Sequence, residues 1–386
     1  MRLTLASTGV AALSLMAPIA HAASADDYVS YTIKGIESMN SAWYDVPTGV
    51  WNAAWWNSAN TLTTYADFAS LRLDEANKLN IGGYMRNTFT NAQKTSVKTS
   101  KVYQANGLVK STDKLGGVSA RGFANFLNEY YDDEGWWALA LIRSYDVTRE
   151  QEYLDSAVRI FEDMQTGQGT PCNGGIYWKK DRKYVSAISN ELYLSVAASL
   201  ANRIPSNPQY LEIANSQWAW FKNSGLINKD NLVNDGLNDE CKNNGQPTWS
   251  YNQGVILGGL VELSKATGDA ALLDTATTIA KAAIKALSSD KGILVETTGC
   301  EKDSALCGVD GKQFKGIFLR NLRYLHQARA NDDFKSFIVR NADSIWGNNR
   351  NGDNKFGVAW TGPYTEATGP SQSSALDGLV AAVAVA

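Results

Sequence analysis

The chain has 386 residues, with 36 lysines and arginines against 39 aspartates and glutamates, and a formal net charge of −3. That balance gives no reason to expect a nucleic acid or an anionic membrane as partner. It has only two histidines, His21 and His326, which excludes a multi-histidine zinc site and points the chemistry mainly to carboxylates.

Taken in chain order, Arg2 precedes an apolar run from Leu3 to Ala20 that closes on Ala20-His21-Ala22. This is the pattern of a secretory signal peptide over residues 1–22, so a secreted, extracellular protein beginning near Ala23 is expected. His21 falls in that leader, which leaves a Ser-His-Asp hydrolase to rest on His326, a residue in a helical stretch with no cluster of partners around it in sequence. No proline- or serine-rich linker and no charge block divides residues 23–386, and these read as a single domain. The four cysteines, an even number in an exported chain, favour disulfides over metal ligation. Three connectivities are possible; closing the shorter loop, Cys300 with Cys307, is the cheapest and leaves Cys172 with Cys241. No Asn-x-Ser/Thr sequon occurs, so N-glycosylation is not expected.

Apolar residues recur at helical spacing near 29–43, 58–73, 76–97, 133–146, 150–166, 187–203, 207–224, 251–267, 269–288, 315–330, 333–347 and 371–385. Alternate members open with polar or aromatic residues and then turn apolar and small. The openings are Trp55-Trp56-Asn57-Ser58-Ala59-Asn60, Asp132-Asp133-Glu134, Ser189-Asn190-Glu191, Ser250-Tyr251-Asn252-Gln253-Gly254, Phe314-Lys315-Gly316 and Ser371-Gln372-Ser373-Ser374. The spacing predicts six inner helices of an all-α (α/α)6 barrel, a toroid in which six outer helices surround them. An open helical solenoid is the alternative. Parallel inner helices gather their N-termini at one end, where the long Gly/Asn-rich loops at 167–183, 228–248 and 291–312 would wall a cup.

The densest chemical segment is Glu129-Tyr130-Tyr131-Asp132-Asp133-Glu134-Gly135-Trp136-Trp137. Acids at a helix start can simply cap it and complement its dipole. Here they are flanked by four aromatics and form the one acidic pair among the six openings. Glycosidic cleavage needs two carboxyls beside the scissile bond, one to protonate the leaving oxygen and one to attack the anomeric carbon or activate water. Neighbouring residues point about 100° apart around a helix, so adjacent carboxyls could address two sides of one ring. Which aspartate takes which role stays open at this level. Twelve tryptophans and seventeen tyrosines supply faces that stack on sugars or pack a core.

The ordered set WWNSAN at 55–60, YYDDEGWWALA at 130–140, CNGGIYW at 172–178, NELYL at 190–194, VNDGL at 233–237, TWSYNQGVILGGLVEL at 248–263, FKGIFLRNL at 314–322 and SQSSALDGL at 371–379 resembles glycoside hydrolase family 76, the endo-α-1,6-mannanases, over nearly the whole mature chain. The resemblance implies an (α/α)6 barrel and retaining hydrolysis of α-1,6-mannosidic bonds. It places Asp132 in the nucleophile position and Asp133 in the acid/base position. It implies no metal or organic cofactor, and an α-mannan or mannooligosaccharide as the partner; a monomer is expected. Related fungal wall proteins often end in a lipid-anchor tail; this sequence has none, so a free secreted enzyme is expected. The same residues would serve a cell-wall transglycosylase, and a mannan-binding barrel without turnover is a further reading.

The other candidate substrate-binding residues each carry a structural alternative. Asp235 in Asn234-Asp235-Gly236 is a turn residue or a ligand for sugar hydroxyls. Asn60, Asn190, Asn252 and Gln253 are helix-start amides or hydroxyl ligands, and Lys315 pairs with an acid or faces the cup. Trp56, Trp136 and Trp178 are stacking platforms or core; the Gly174-Gly175 turn beside Trp178 favours contact.

Overall fold

The computed structural model describes residues 23–94, 96–103, 109–116, 124–302 and 306–386. The expected leader at 1–22 lies outside the described residues. The chain enters through α1 (Ala25–Trp43), whose start is a capping box: the Asp27 N–H donates to Ser24 Oγ while the Ser24 N–H donates to Asp27 Oδ2 at 2.8 Å. A two-residue pairing of β1 (Tyr44–Asp45) with β2 (Val50–Trp51) turns the chain into α2 (Trp55–Leu71). Then follow α3 (Leu73–Lys78), α4 (Ile81–Ala92), and an antiparallel hairpin of β3 (Ser96–Tyr103) and β4 (Val109–Gly116). The remainder is helical hairpins: α5 (Tyr131–Thr148), α6 (Gln151–Gln165), α7 (Ala187–Arg203), α8 (Gln209–Asn223), α9 (Ser250–Thr267), α10 (Ala271–Ala286), α11 (Phe314–Ala328), α12 (Asp332–Asn348) and α13 (Gly369–Val385). Between α6 and α9 the loops meet in the pairing of β5 (Val185–Ser186) with β6 (Gly236–Leu237).

The inner ring closes in the order α2, α5, α7, α9, α11, α13 and back to α2, with α1, α4, α6, α8, α10 and α12 packed outside. Composition separates the two layers. In the outer helix α6 the buried residues Tyr153, Leu154, Ala157, Ile160, Phe161 and Met164 recur every three or four positions, one stripe against the ring. In α2 every residue from Trp55 to Ala69 is buried, and α13 is buried from Gly369 to Val383, as helices covered on all sides must be. Glycine lets the inner axes approach. A Cβ on Gly254 would lie 2.7 Å from the Phe318 Cα of α11, and one on Gly316 would lie 2.4 Å from the Ser374 carbonyl of α13. The six openings that the pattern marks in the sequence are the six inner N-termini, so the (α/α)6 expectation holds and the solenoid does not.

Deeper in the ring, ion pairs link the inner helices. Arg320 meets Asp377 at 3.2 Å, Arg323 meets Asp67 at 2.8 Å, and Arg203 meets Glu262 at 2.6 Å. Each pair joins two different inner helices and fixes their relative height.

One expectation is corrected. The segment 76–97 is not a single helix: Asn80 takes a left-handed conformation (φ 55°), ends α3 and starts α4, which itself stops at Ala92 before the hairpin. Asparagine tolerates that backbone better than other non-glycine residues. Both expected disulfides are present, Cys172 with Cys241 and Cys300 with Cys307. Among the described residues no helix is long and apolar enough to cross a membrane.

Candidate active site

Where the inner N-termini gather, an open cup is lined by Trp56, Asp132, Trp136, Trp178, Ser186, Ile188, Asp235, Tyr251, Asp310 and Phe314. Its floor is aromatic. Trp56 of α2 lies 5.9 Å from Trp136 of α5, Trp136 lies 6.5 Å from Tyr251 of α9, and Tyr251 stacks on Phe314 of α11 at 3.9 Å. Phe314 returns to Trp56 at 6.5 Å, so four rings from four inner helices close a circuit across the bore. Such faces suit the apolar face of a pyranose ring.

Carboxylates stand around this floor. The first turn of α5 carries Asp132, Asp133 and Glu134, where the positive end of the helix dipole favours negative charge. Asp132 faces the cup. Asp133, 1 % exposed, sits behind it with Oδ2 accepting from Asn128 Nδ2 at 2.7 Å. Glu134 turns outward, accepting from the Asn128 backbone at 2.9 Å and from Lys180 Nζ at 2.8 Å. The three acids are therefore divided by helical rotation, and Asn128 links the last two. Asp235 comes from the loop after α8: its carboxylate accepts from Tyr184 OH at 2.6 Å, and its carbonyl accepts the Ala187 N–H at 2.7 Å, at the start of α7. Asp310 accepts from Trp56 Nε1 at 2.8 Å and so holds one plate of the floor.

The long loops are tied down. In the 167–183 loop, Ile176 is clamped on both backbone groups by the Asn190 amide at 2.8 and 2.9 Å. The Tyr131 N–H donates to the Trp178 carbonyl at 3.0 Å, which sets Trp178 beside the start of α5. Gly175 has φ +71°, and a Cβ there would lie 2.4 Å from the Trp220 ring, so only glycine makes this turn. The 291–312 loop is held by Glu296, whose carboxylate accepts from the Ser250 N–H at 3.1 Å and from its hydroxyl. Burial pushes the Glu296 carboxyl up to about 7, against the pull of the Ser250 hydrogen bonds.

Of the residues expected at the site, the structure brings Trp56, Asp132, Trp136, Trp178 and Asp235 to the cup wall. Asp133 stands directly behind Asp132, and the remaining candidates are buried in other contacts. Asn60 bonds the Arg320 guanidinium and Asn190 clamps the 167–183 loop. The Gln253 amide binds both backbone groups of Val233 at 2.8 Å. Lys315 pairs with Glu301 at 2.8 Å, donates to the Val358 carbonyl and lies over the Trp360 ring. Asn252 is fully buried on α9. The sequence reading did not single out Ser186, Ile188, Tyr251, Asp310 or Phe314. Tyr251 and Phe314 stand in the openings of their helices and Asp310 in a loop expected to wall the cup, so the signal was positional.

A sequence model of glycosyl hydrolase family 76 matches residues 22–385. A putative mannan endo-1,6-alpha-mannosidase of Schizosaccharomyces pombe is 28% identical over 212 residues, covering 51% of this chain and 47% of its own. The mannan endo-1,6-alpha-mannosidase DCW1 of Candida albicans is 28% identical over 207 residues, covering 50% and 46%. The chain thus spans about half the length of the curated relatives it matches. Among solved structures, an inactive variant of the alpha-1,6-mannanase of Salegentibacter sp. HEL1_6, with two consecutive aspartates replaced and alpha-1,6-mannotetrose bound, superposes with a TM-score of 0.75 at 20% identity, over 93% of this chain and 100% of that one.

Proposed function

The chain belongs to glycosyl hydrolase family 76, and we propose that it is a secreted, retaining endo-α-1,6-mannanase that cuts the mannan backbone through a covalent mannosyl intermediate on Asp132. The observation that carries this reading is the position of Asp132: a carboxylate on the first turn of α5, facing a cup floored by four aromatic rings. The names of the sequence relatives and the mannotetrose held by a neighbour of the same fold support α-1,6-mannan as the substrate.

In the proposed reaction an Asp132 oxygen attacks the anomeric carbon as the bond to the leaving 6-oxygen breaks, and Asp133 gives that oxygen its proton. Water then attacks the mannosyl ester with Asp133 as base, returning the proton and releasing product with the α configuration. Asp235 and Trp178 contact the sugar, and the single chain acts alone and free of the membrane, exported by its leader at 1–22.

Digestion of debranched α-1,6-mannan, followed by product mass, tests the reading. Short mannooligosaccharides of mixed length from the earliest times are expected. Mannose alone from the first minutes would mean exo action. Products longer than an added mannooligosaccharide, with no net hydrolysis, would make the protein a transglycosylase instead.

A further inference from the structure

One turn beneath the cup, the seam between α7 and α9 contains two side chains whose polar atoms meet no protein partner. Glu191 is fully buried, and neither carboxyl oxygen is hydrogen-bonded. Asn252 is equally buried, with both its amide oxygen and its nitrogen unbonded. Ser195 Oγ lies 3.4 Å from the Val255 carbonyl and 2.8 Å from where a Cβ on Gly259 would stand. Glu191 precedes Ser195 by four residues and Asn252 precedes Gly259 by seven, so on parallel helices Asn252 stands about one turn nearer the cup than Glu191 on the same side of the seam, and the longer Glu191 side chain, tilted towards the helix N-terminus, extends towards that level.

The turn above them is the cup itself, where Ile188 on α7 and Tyr251 on α9 belong to the lining. Asp235 reaches the same corner, since its carbonyl accepts the Ala187 N–H four residues before Glu191. Burial, and after it the charge of Asp235, raise the Glu191 carboxyl well above its usual range; among the described residues no other titratable group acts on it. That direction favours the acid form, in which Glu191 can donate as well as accept. A buried polar atom without a partner is costly, and native interiors answer it with an ordered water that takes two to four bonds. The carboxylic acid and the amide together offer that many.

We propose that Glu191 and Asn252 hold an internal water in the α7–α9 seam, and that through this site Glu191 is a positioning residue for Asp235 at the sugar-binding cup. The second half rests on the reading of the cup as a mannan site. An amide can replace a neutral acid in such a network, whereas a thioether of similar length cannot, so the two substitutions separate hydrogen bonding from packing.

The test combines crystallography of the wild type and Glu191→Met at high resolution with steady-state kinetics on α-1,6-mannotetraose. One ordered solvent peak within hydrogen-bonding distance of both side chains is expected in the wild type, and a displaced Asp235 carboxylate in Glu191→Met. Loss of one bond at the sugar corresponds to a rise in KM of about tenfold with a smaller change in kcat. Glu191→Gln should stay within about threefold of wild type on both constants, by the same bookkeeping. An empty seam with Glu191 bonded directly to Asn252, or a Glu191→Met protein with Asp235 unmoved and KM unchanged, would overturn the inference. If the wild type cleaves no mannan, the cup reading fails by itself, and the solvent peak and the place of Asp235 still decide this one.

Discussion

Asp132→Asn is expected to lower kcat/KM on α-1,6-mannan by on the order of 10³-fold or more, since it removes the attacking oxygen's charge while leaving the cup's shape intact. Asp133→Asn should produce a comparable loss on mannan for a different reason, the missing proton, and the two losses part company on an activated substrate. An aryl α-1,6-mannobioside whose leaving group departs without protonation restores the first step for Asp133→Asn, giving a burst of aryl alcohol followed by slow turnover. For Asp132→Asn it restores nothing. The comparison matters because the structure turns Asp132 to the cup and places Asp133 behind it against Asn128. Asp235 and Asp310 also line the cup. Full activity in Asp133→Asn, with leaving-group rescue found instead for Asp235→Asn or Asp310→Asn, would move the proton donor to that residue.

The second large effect is on stability. Glu296 rises from 4.5 to about 7 on folding, chiefly through burial. Its folded pKa lies above the unfolded one, so the native state is favoured below about pH 4.5 and loses stability as pH climbs towards 7. The full loss is about 3 kcal/mol. Glu262 has the opposite sign: burial opposes its charge, but Arg203 and Arg143 outweigh burial and hold it at about 2. Its contribution is present above about pH 4.5 and lost as pH falls towards 2. The contributions of these two groups are present together only near pH 4.5, and each falls away on its own side of that value. Glu296→Gln should flatten the alkaline branch, so that urea unfolding at pH 8 shows the variant about 2 to 3 kcal/mol more stable than wild type while the two nearly coincide at pH 4.5. A variant less stable than wild type at pH 8 would mean that the Ser250 hydrogen bonds, rather than the buried charge, set the balance at this position.

The architecture was legible because each inner helix must be buried on all sides and yet present polar groups at one end. The opening of α9, polar at Ser250-Tyr251-Asn252-Gln253 and then small and apolar from Gly254, states both requirements in the sequence itself. The hairpin at 96–116 carries no such signature, and the helix pattern before it ran on past Ala92 without a stop that spacing alone could detect. Within the site, Asp132 was legible from its aromatic flanks. The amides were not, because helical position does not say whether a side chain turns to the cup or to a loop. Asn190 and Gln253 turn to loops, each bonding both backbone groups of one loop residue. Asp310 was missed for the converse reason: its role follows from the Trp56 indole, more than 250 positions away, which only the folded chain brings to it.

The configuration of the first product tests the central claim most directly. Proton NMR of wild-type enzyme acting on α-1,6-mannotetraose, recorded before mutarotation, reads the new reducing end. Attack by Asp132 followed by attack of water inverts the anomeric carbon twice, so the account predicts that the α signal appears first and the β signal grows in only at the rate of mutarotation. An initial β product would contradict it, leaving no covalent intermediate on Asp132 and making the cup the site of a single displacement by water.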